Sequence, residues 1–183
     1  AGGLLATWWL ILAAFVLATL DTGRSGFFTQ ERVGRHGRRF RVIKIRTMRP
    51  SAEVNTVVTT SGDPRITRLG RLFRRTKIDE LPQLINVLKG DMSFVGPRPD
   101  VPGYADALES VYRVILSVRP GITGPATLKY RDEENLLASQ DEPESYNNDV
   151  IWPDKVRLNR EYIECWSFMK DIRYIWRTVF RGE

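Results

Sequence analysis

From Leu4 to Leu20 the chain carries no charge, and the ten residues Trp8–Leu17 offer no polar face at all. As a helix this stretch would be roughly 25 Å long, slightly short of the ~30 Å hydrocarbon core of a bilayer. A run apolar on every side predicts insertion into a membrane rather than the buried helix of a soluble domain. No basic segment precedes it, and Asp21-Thr22-Gly23-Arg24 is not the small-residue cleavage pattern of a signal peptide. The pattern then shortens. Phe27–Val33 and Phe40–Met48 read as strands around Gly34-Arg35-His36-Gly37, a hairpin loop of about four residues. Residues 50–64 form a polar connection that is expected to be mobile. Arg65–Arg75 places Ile66, Leu69, Leu72 and Phe73 at helical spacing, with Arg68, Arg71, Arg74 and Arg75 on the other faces. Val101–Val118 reads as a helix with Leu108, Val111, Tyr112, Ile115 and Leu116 inward, stopped by Pro120-Gly121. Residues 135–152 are acidic and polar, a surface segment. A last helix over about 153–181 lines Leu158, Tyr162, Trp166, Met169, Ile172, Trp176 and Val179 along one side and Lys170, Arg173, Arg177 and Arg181 along another, which suits a bilayer interface and core packing almost equally.

These elements predict an α+β, mainly helical protein: an N-terminal membrane-inserted helix over residues 1–21, then a cytoplasmic domain over 22–183 with a small β-hairpin and amphipathic interfacial helices. At 183 residues there is room for one domain with a real core, or for one small domain plus a membrane element. The net charge of +6 and a pI near 9.7 favour an anionic partner without choosing among nucleic acid, acidic lipid and phosphorylated substrate. Nine cations between Arg24 and Arg49, against Glu31 alone, follow the apolar run directly and keep that side cytoplasmic, at about 1 kcal/mol of attraction to anionic headgroups per cation. Taken singly, most of these arginines read as solvated. The lone Cys165 excludes an internal disulfide and a cysteine-based zinc cluster, and the lone His36 excludes a histidine cage, so any metal is a hard ion held by oxygen. Cys165 sits beside Trp166 in an apolar helical pattern and is expected to be a packed thiol.

Chemistry concentrates in residues 76–99. Pro82 lacks an N–H and fits only a helix's first turn, so Asp79 and Glu80 belong at that helix's N-terminus. Adjacent acids there meet free N–H groups and the positive dipole end, where carboxylates stay ionised and a phosphate or its metal complex is attracted. Neighbouring side chains on a helix point about 100° apart, so the pair could approach one reacting centre from two directions, as a nucleophile and a base must. An N-cap followed by a first-turn acid fits the same spacing.

Asp79-Glu80-Leu81-Pro82-Gln83-Leu84, continuing through Asn86-Val87-Leu88-Lys89-Gly90-Asp91-Met92-Ser93-Phe94-Val95-Gly96-Pro97-Arg98-Pro99, closely resembles the signature of the bacterial sugar transferases, the monotopic phosphoglycosyl transferases. The run is long and mixed in residue type, which makes it far more specific than a short motif. Gln30-Glu31-Arg32-Val33-Gly34, Lys44-Ile45-Arg46-Thr47-Met48 and Arg119-Pro120-Gly121-Ile122-Thr123-Gly124 are similar to the family's hairpin, strand and loop motifs. The resemblance implies a re-entrant N-terminal helix that breaks at a Ser-Pro pair. Trp8–Leu10, where that break would fall, contains no such pair, so a spanning helix stays open beside the re-entrant one. The family also carries a basic leader before this helix, and with Ala1 already next to the apolar run the sequence reads as lacking its natural start.

What the resemblance implies about function is specific. A sugar 1-phosphate would pass from a UDP-sugar to a polyprenyl (undecaprenyl) phosphate at the cytoplasmic face of the bacterial inner membrane, releasing UMP, as the first membrane step of glycoconjugate assembly. Asp79 would be the nucleophile and a ligand of Mg2+, Glu80 the base, and Lys44, Arg74, Arg98 and Arg131 the cations on the phosphates. The context Lys129-Tyr130-Arg131-Asp132 departs from the family's Asn-Gly-Arg. The competing class is a non-enzymatic peripheral membrane protein that binds anionic lipid or nucleic acid through its arginines; no RNA-binding aromatic motif or helix-turn-helix pattern supports nucleic acid as the partner.

Overall fold

The uncharged run forms one unbroken α-helix, α1 (Gly2–Thr22), in the computed structural model of the chain, which describes residues 2–50 and 59–180. Twenty-one helical residues measure about 31 Å. One stripe at helical spacing, Ile11, Ala14, Ala18 and Thr22, is buried, while Leu5, Trp8, Trp9, Leu12, Val16, Leu17 and Leu20 stay exposed. The protein is α+β and mainly helical, and its described residues fall into two compact units, 2–31, 41–50 and 63–90 in the first and 32–40, 59–62 and 91–180 in the second.

In the first unit, α1 lies against α2 (Arg68–Thr76), a 3-10 turn at Ile78–Glu80 and α3 (Gln83–Lys89). Its core joins Ile11, Ala14 and Ala18 to Ile45 and Phe73, with Phe15, Phe27, Leu69, Ile78 and Leu81 around them. The strands β1 (Phe27–Val33) and β2 (Arg39–Ile45) pair as the expected hairpin. The second strand is shorter than the pattern predicts, and Met48 instead makes an isolated bridge to Ile66. α2 opens at Thr67, whose Oγ1 accepts from the Gly70 N–H at 2.8 Å, one of the standard N-terminal caps. Gly70 lies so close to the Thr47 carbonyl that a Cβ there would come to 2.1 Å, which is why a helix interior holds a glycine here. Two members of the arginine cluster are tied to backbone carbonyls in this unit: Arg46 donates to Ser25 and Phe27, and Arg49 to Asp21.

The second unit holds the hairpin tip, where His36 adopts φ +58°, and there Arg35 donates to the Ser117 carbonyl at 2.8 Å and Arg32 to that of Pro99 at 3.2 Å. Two three-residue strands, β3 (Ser93–Val95) and β4 (Gly121–Thr123), pair in parallel with Ser93 opposite Gly121 and Val95 opposite Thr123. Gly121 has no room for a side chain, since its Cβ would meet the Gly96 nitrogen at 2.2 Å. Short helices α4 (Pro125–Lys129), α5 (Glu133–Ala138) and α6 (Pro143–Tyr146) follow, and a π-helical turn at Asn147–Ile151 leads into α7 (Trp152–Glu164) and α8 (Phe168–Phe180). The core here is Val33, Ala105, Ile115, Leu116 and Val156.

Three expectations are corrected. Residues 101–118 are not one α-helix but two 3-10 segments, Ala105–Ala107 and Ser110–Ser117. Gly103 at φ +98°, with Leu108 and Glu109 in extended conformation, interrupts the chain; apolar residues three apart face one way in a 3-10 turn as well as in an α-helix. Ile115 and Leu116 are buried as expected, Tyr112 is exposed, and the side chain of Val111 lies outside the described residues. The last helix breaks at Cys165–Ser167, where Ser167 starts α8 and Asp171 accepts from both Tyr162 Oη (2.6 Å) and Trp166 Nε1 (3.0 Å). Of its predicted stripe, Tyr162 is buried and Trp166, Met169, Ile172, Trp176 and Val179 are exposed; Arg181 lies outside the described residues. Cys165, at the break, is an exposed free thiol rather than a packed one. Most of the polar connection over 50–64, namely 51–58, also lies outside the described residues.

Candidate active site

α2 ends at Lys77, which adopts the left-handed conformation (φ 58°, ψ 17°). A lysine there costs on the order of 1–2 kcal/mol, and the sharp turn it makes sends the chain straight into Ile78–Glu80. Pro82 occupies the N-cap position of α3 rather than its first turn, so the acids stand in a 3-10 turn just before the helix instead of inside its N-terminus. The turn is closed by hydrogen bonds from Glu80 N to Lys77 O and Leu81 N to Ile78 O, and Leu84 N to Leu81 O joins it to α3.

Asp79 and Glu80 are both buried, 7 % and 8 % exposed. Adjacent buried carboxylates are costly unless cations or hydrogen bonds offset them. Lys44, from β2, brings its Nζ to 3.5 Å from Glu80 Oε1. Arg74, in the last turn of α2, is held by Thr47 Oγ1 (3.0 Å to Nε) and Met48 Sδ (3.1 Å to Nη2). Burial and then the Glu80 charge push the Asp79 carboxyl up to about 6, against the opposing pull of Lys44, Lys77 and Arg74. Asp79 Oδ1 is buried with no hydrogen-bond partner. An orphaned carboxylate oxygen among three cations is an acceptor set up for something absent from the protein itself.

The oxygen chemistry fits Mg2+. Among the described residues no cluster of three or more His, Cys, Asp or Glu could cage a metal. Magnesium commonly uses one or two carboxylates, keeps waters, and completes its shell with substrate phosphate oxygens, which needs no cage. Asp79 Oδ1 is the available protein ligand.

Four of the residues expected from sequence, Lys44, Arg74, Asp79 and Glu80, therefore meet in the first unit. Arg98 and Arg131 belong to the second. Arg98 lines a cavity of about 10 Å³ with Pro97, Pro99, Asp100 and the hairpin residues Val33 and Gly34. Burial pushes the neighbouring Asp100 carboxyl up to about 7 against Lys155, Arg32 and Arg98. Arg131 is exposed and its Nη2 lies 3.4 Å from the Thr178 carbonyl. Sequence reasoning gave Lys77 and Gln83 no role, although Gln83 lies inside the matched signature and Lys77 two residues before it. No periodicity could have marked them, because one is defined by its φ angle and the other by burial of a polar group.

A family model described as "Bacterial sugar transferase" matches residues 1–182. The chain is 38 % identical over 182 residues to the "Galactosyl transferase CpsE" of Streptococcus agalactiae, covering 92 % of this chain and 37 % of that protein. It is 36 % identical over 170 residues to the "Uncharacterized sugar transferase EpsL" of Bacillus subtilis, covering 93 % of this chain and 76 % of that one. It is 37 % identical over 179 residues to the "UDP-glucose:undecaprenyl-phosphate glucose-1-phosphate transferase" of Escherichia coli, covering 94 % of this chain and 36 % of that protein. The chain thus spans little more than a third of two of these relatives and about three quarters of the other.

Proposed function

Because the chain belongs to the bacterial sugar transferase family, we propose that it moves a sugar 1-phosphate from a UDP-sugar to a polyprenyl phosphate, undecaprenyl phosphate by its relatives' names, and releases UMP. The observation that carries this reading is the buried Asp79–Glu80 pair, with Lys44 and Arg74 against it and Asp79 Oδ1 left open. A peripheral protein that only binds anionic lipid has no use for two desolvated carboxylates.

Asp79 attacks the phosphorus that carries the sugar. An O–P bond forms to the carboxylate, and the bond to the UMP oxygen breaks, with UMP leaving on the electron pair. An oxygen of the polyprenyl phosphate then attacks the same phosphorus and frees the Asp79 carboxylate. Glu80, facing Lys44 at 3.5 Å, orients that phosphate and takes its proton where it carries one. Asp79 Oδ1 would hold a magnesium ion, which when bound would offset phosphate charge. Lys44 and Arg74 supply fixed positive charge from the protein, arginine's planar fork suiting phosphoryl oxygens. Arg98 and Arg131 remain phosphate-binding candidates from the second unit. The exposed apolar faces of α1 and the basic stretch that follows it support anchoring to the cytoplasmic face of the bacterial inner membrane.

The test is release of UMP by the membrane-bound protein over a panel of UDP-sugars, with and without polyprenyl phosphate. One sugar should release UMP catalytically only when the lipid is present, and excess chelator should stop it. Silence across the panel, or full turnover in chelator, would remove the activity or the metal. High salt should leave the protein in the membrane fraction while detergent extracts it; release by salt alone would refute the anchoring. Arg98→Ala should cut turnover at least about tenfold, the usual scale of a lost charged phosphate contact. Arg68→Ala, on an exposed position of α2, should change it less than twofold. Equal losses would strike Arg98 from the site.

A further inference from the structure

Among the described residues of the first unit, two buried side-chain atoms lack a hydrogen-bond partner, Asp79 Oδ1 and Gln83 Nε2. Gln83 is only 2 % exposed. Its surroundings are set by its neighbours along the chain. Three residues later Asn86, 1 % exposed, accepts from the Ile43 N–H at 3.1 Å and donates to the Arg41 carbonyl at 2.8 Å, pinning α3 to β2. Three residues earlier Glu80 meets Lys44 of the same strand. Residues three apart share a face in both 3-10 and α geometry, so Gln83 lies on the side of α3 that meets β2, between the Lys44–Glu80 pair and the Asn86 clamp. A buried amide donor without a partner is costly, and an apolar side chain of the same size would avoid that cost. Asn86 shows that a carboxamide on this face can be fully used by the fold; the Gln83 donor is not.

Donor and acceptor are complementary here. The Asp79 carboxylate oxygen can take an electrophile, a cation or a hydrogen-bond donor, and an amide N–H can take only an acceptor. A phosphoryl group presents both, an electrophilic phosphorus and non-bridging oxygens. We propose that Gln83 is a further substrate-contacting residue, its Nε2 donating to a non-bridging oxygen of the phosphoryl group that Asp79 attacks. The inference rests on the roles given above to Asp79 and Glu80. As a neutral donor in a site already holding Lys44 and Arg74, Gln83 adds direction rather than charge. Its partner becomes an equatorial oxygen sharing the charge of the transferred phosphoryl group, while the bond electrons leave with UMP, so a fixed donor there favours the transition-state geometry.

The experiment compares wild type with Gln83→Met, close to glutamine in length and volume, for the thermal midpoint of the substrate-free protein and for the rate of the first UMP equivalent released from the active UDP-sugar without lipid acceptor. The expected result is an unchanged or higher midpoint with a rate lower by about 100- to 1,000-fold, the scale at which single oxyanion donors act. A rate within twofold of wild type would overturn the proposal. If Met lowers the midpoint, Gln83→Asn and Gln83→Leu are compared instead. A faster Asn variant at matched midpoint supports the contact, whereas equal rates, or rate losses that follow the loss of stability in every variant, mark Gln83 as a packing residue and overturn it. Wild type that releases no UMP from any sugar would fail the proposed function itself, an outcome distinct from wild type and variants that work alike.

Discussion

Asp79→Asn is expected to abolish UMP release, by at least about a thousandfold as for other removed nucleophiles, and in the same protein to raise the thermal midpoint. An amide is neither a competent nucleophile nor a good ligand for a hard cation, so neither displacement can start. The stability gain follows from the direction of the pKa shift. Burial and Glu80 push the folded-state carboxyl up to about 6 from an ordinary value of 3.8. The folded protein therefore holds the Asp79 proton more tightly than the unfolded chain does. The cost of ionising it is absent below about pH 4, grows between pH 4 and 6, and is complete above the folded value. About two pKa units correspond to on the order of 3 kcal/mol, or several degrees for a chain of this size. The asparagine variant should thus be more stable than wild type at pH 8, with the difference gone by pH 4. Turnover above about one per cent, or a midpoint lower than wild type at pH 8, would contradict the assignment. The result would identify Asp79 as a residue kept for its chemistry at the expense of stability.

The N-terminal helix, the hairpin and α2 were legible in the sequence because each rests on one dominant local signal: an uncharged run, alternation around two glycines, and a 3.6-residue apolar stripe. Where two structures share a signal the reading failed. The apolar spacing of 101–118 suits 3-10 turns as well as an α-helix, and the choice fell to the φ of Gly103 and the extended backbone at Leu108 and Glu109. The stripe over 153–181 keeps its period across a break that Ser167 and Asp171 satisfy with side-chain and backbone bonds, and that break is what exposes Cys165. In the site, carboxylates beside a proline identify themselves, and Lys44 and Arg74 could be placed by resemblance. Gln83 could not, since its burial is produced by Asn86 drawing α3 onto β2, a contact 43 to 45 residues long in sequence.

The two acids are expected to separate cleanly in the Glu80→Gln variant. Glutamine keeps the shape of Glu80 and removes the charge that faces Lys44 at 3.5 Å, so the turn should fold unchanged while two electrical effects appear. The lipid phosphate loses the group that orients it and takes its proton, a loss of about 10²- to 10⁴-fold in the second displacement by the usual worth of a general base. Meanwhile Asp79 loses the like charge that, after burial, contributes most to raising its carboxyl. Its pKa falls, and the acidic limb of the first UMP release should move to lower pH than in wild type. With the first step spared and the second slowed, a phospho-sugar adduct should build up on Asp79 even with polyprenyl phosphate present. Intact-mass measurement followed by peptide mapping reads the adduct directly, and a pH series of the first release reads the shift. An adduct mapped to Glu80, or one that persists in Asp79→Asn, would exchange the roles of the two acids. Strictly ternary kinetics with no adduct in any variant would replace the two displacements with direct transfer. An acidic limb that does not move would mean that the Glu80 charge does not govern Asp79, and the case for the pair as one coupled unit would fail at that point.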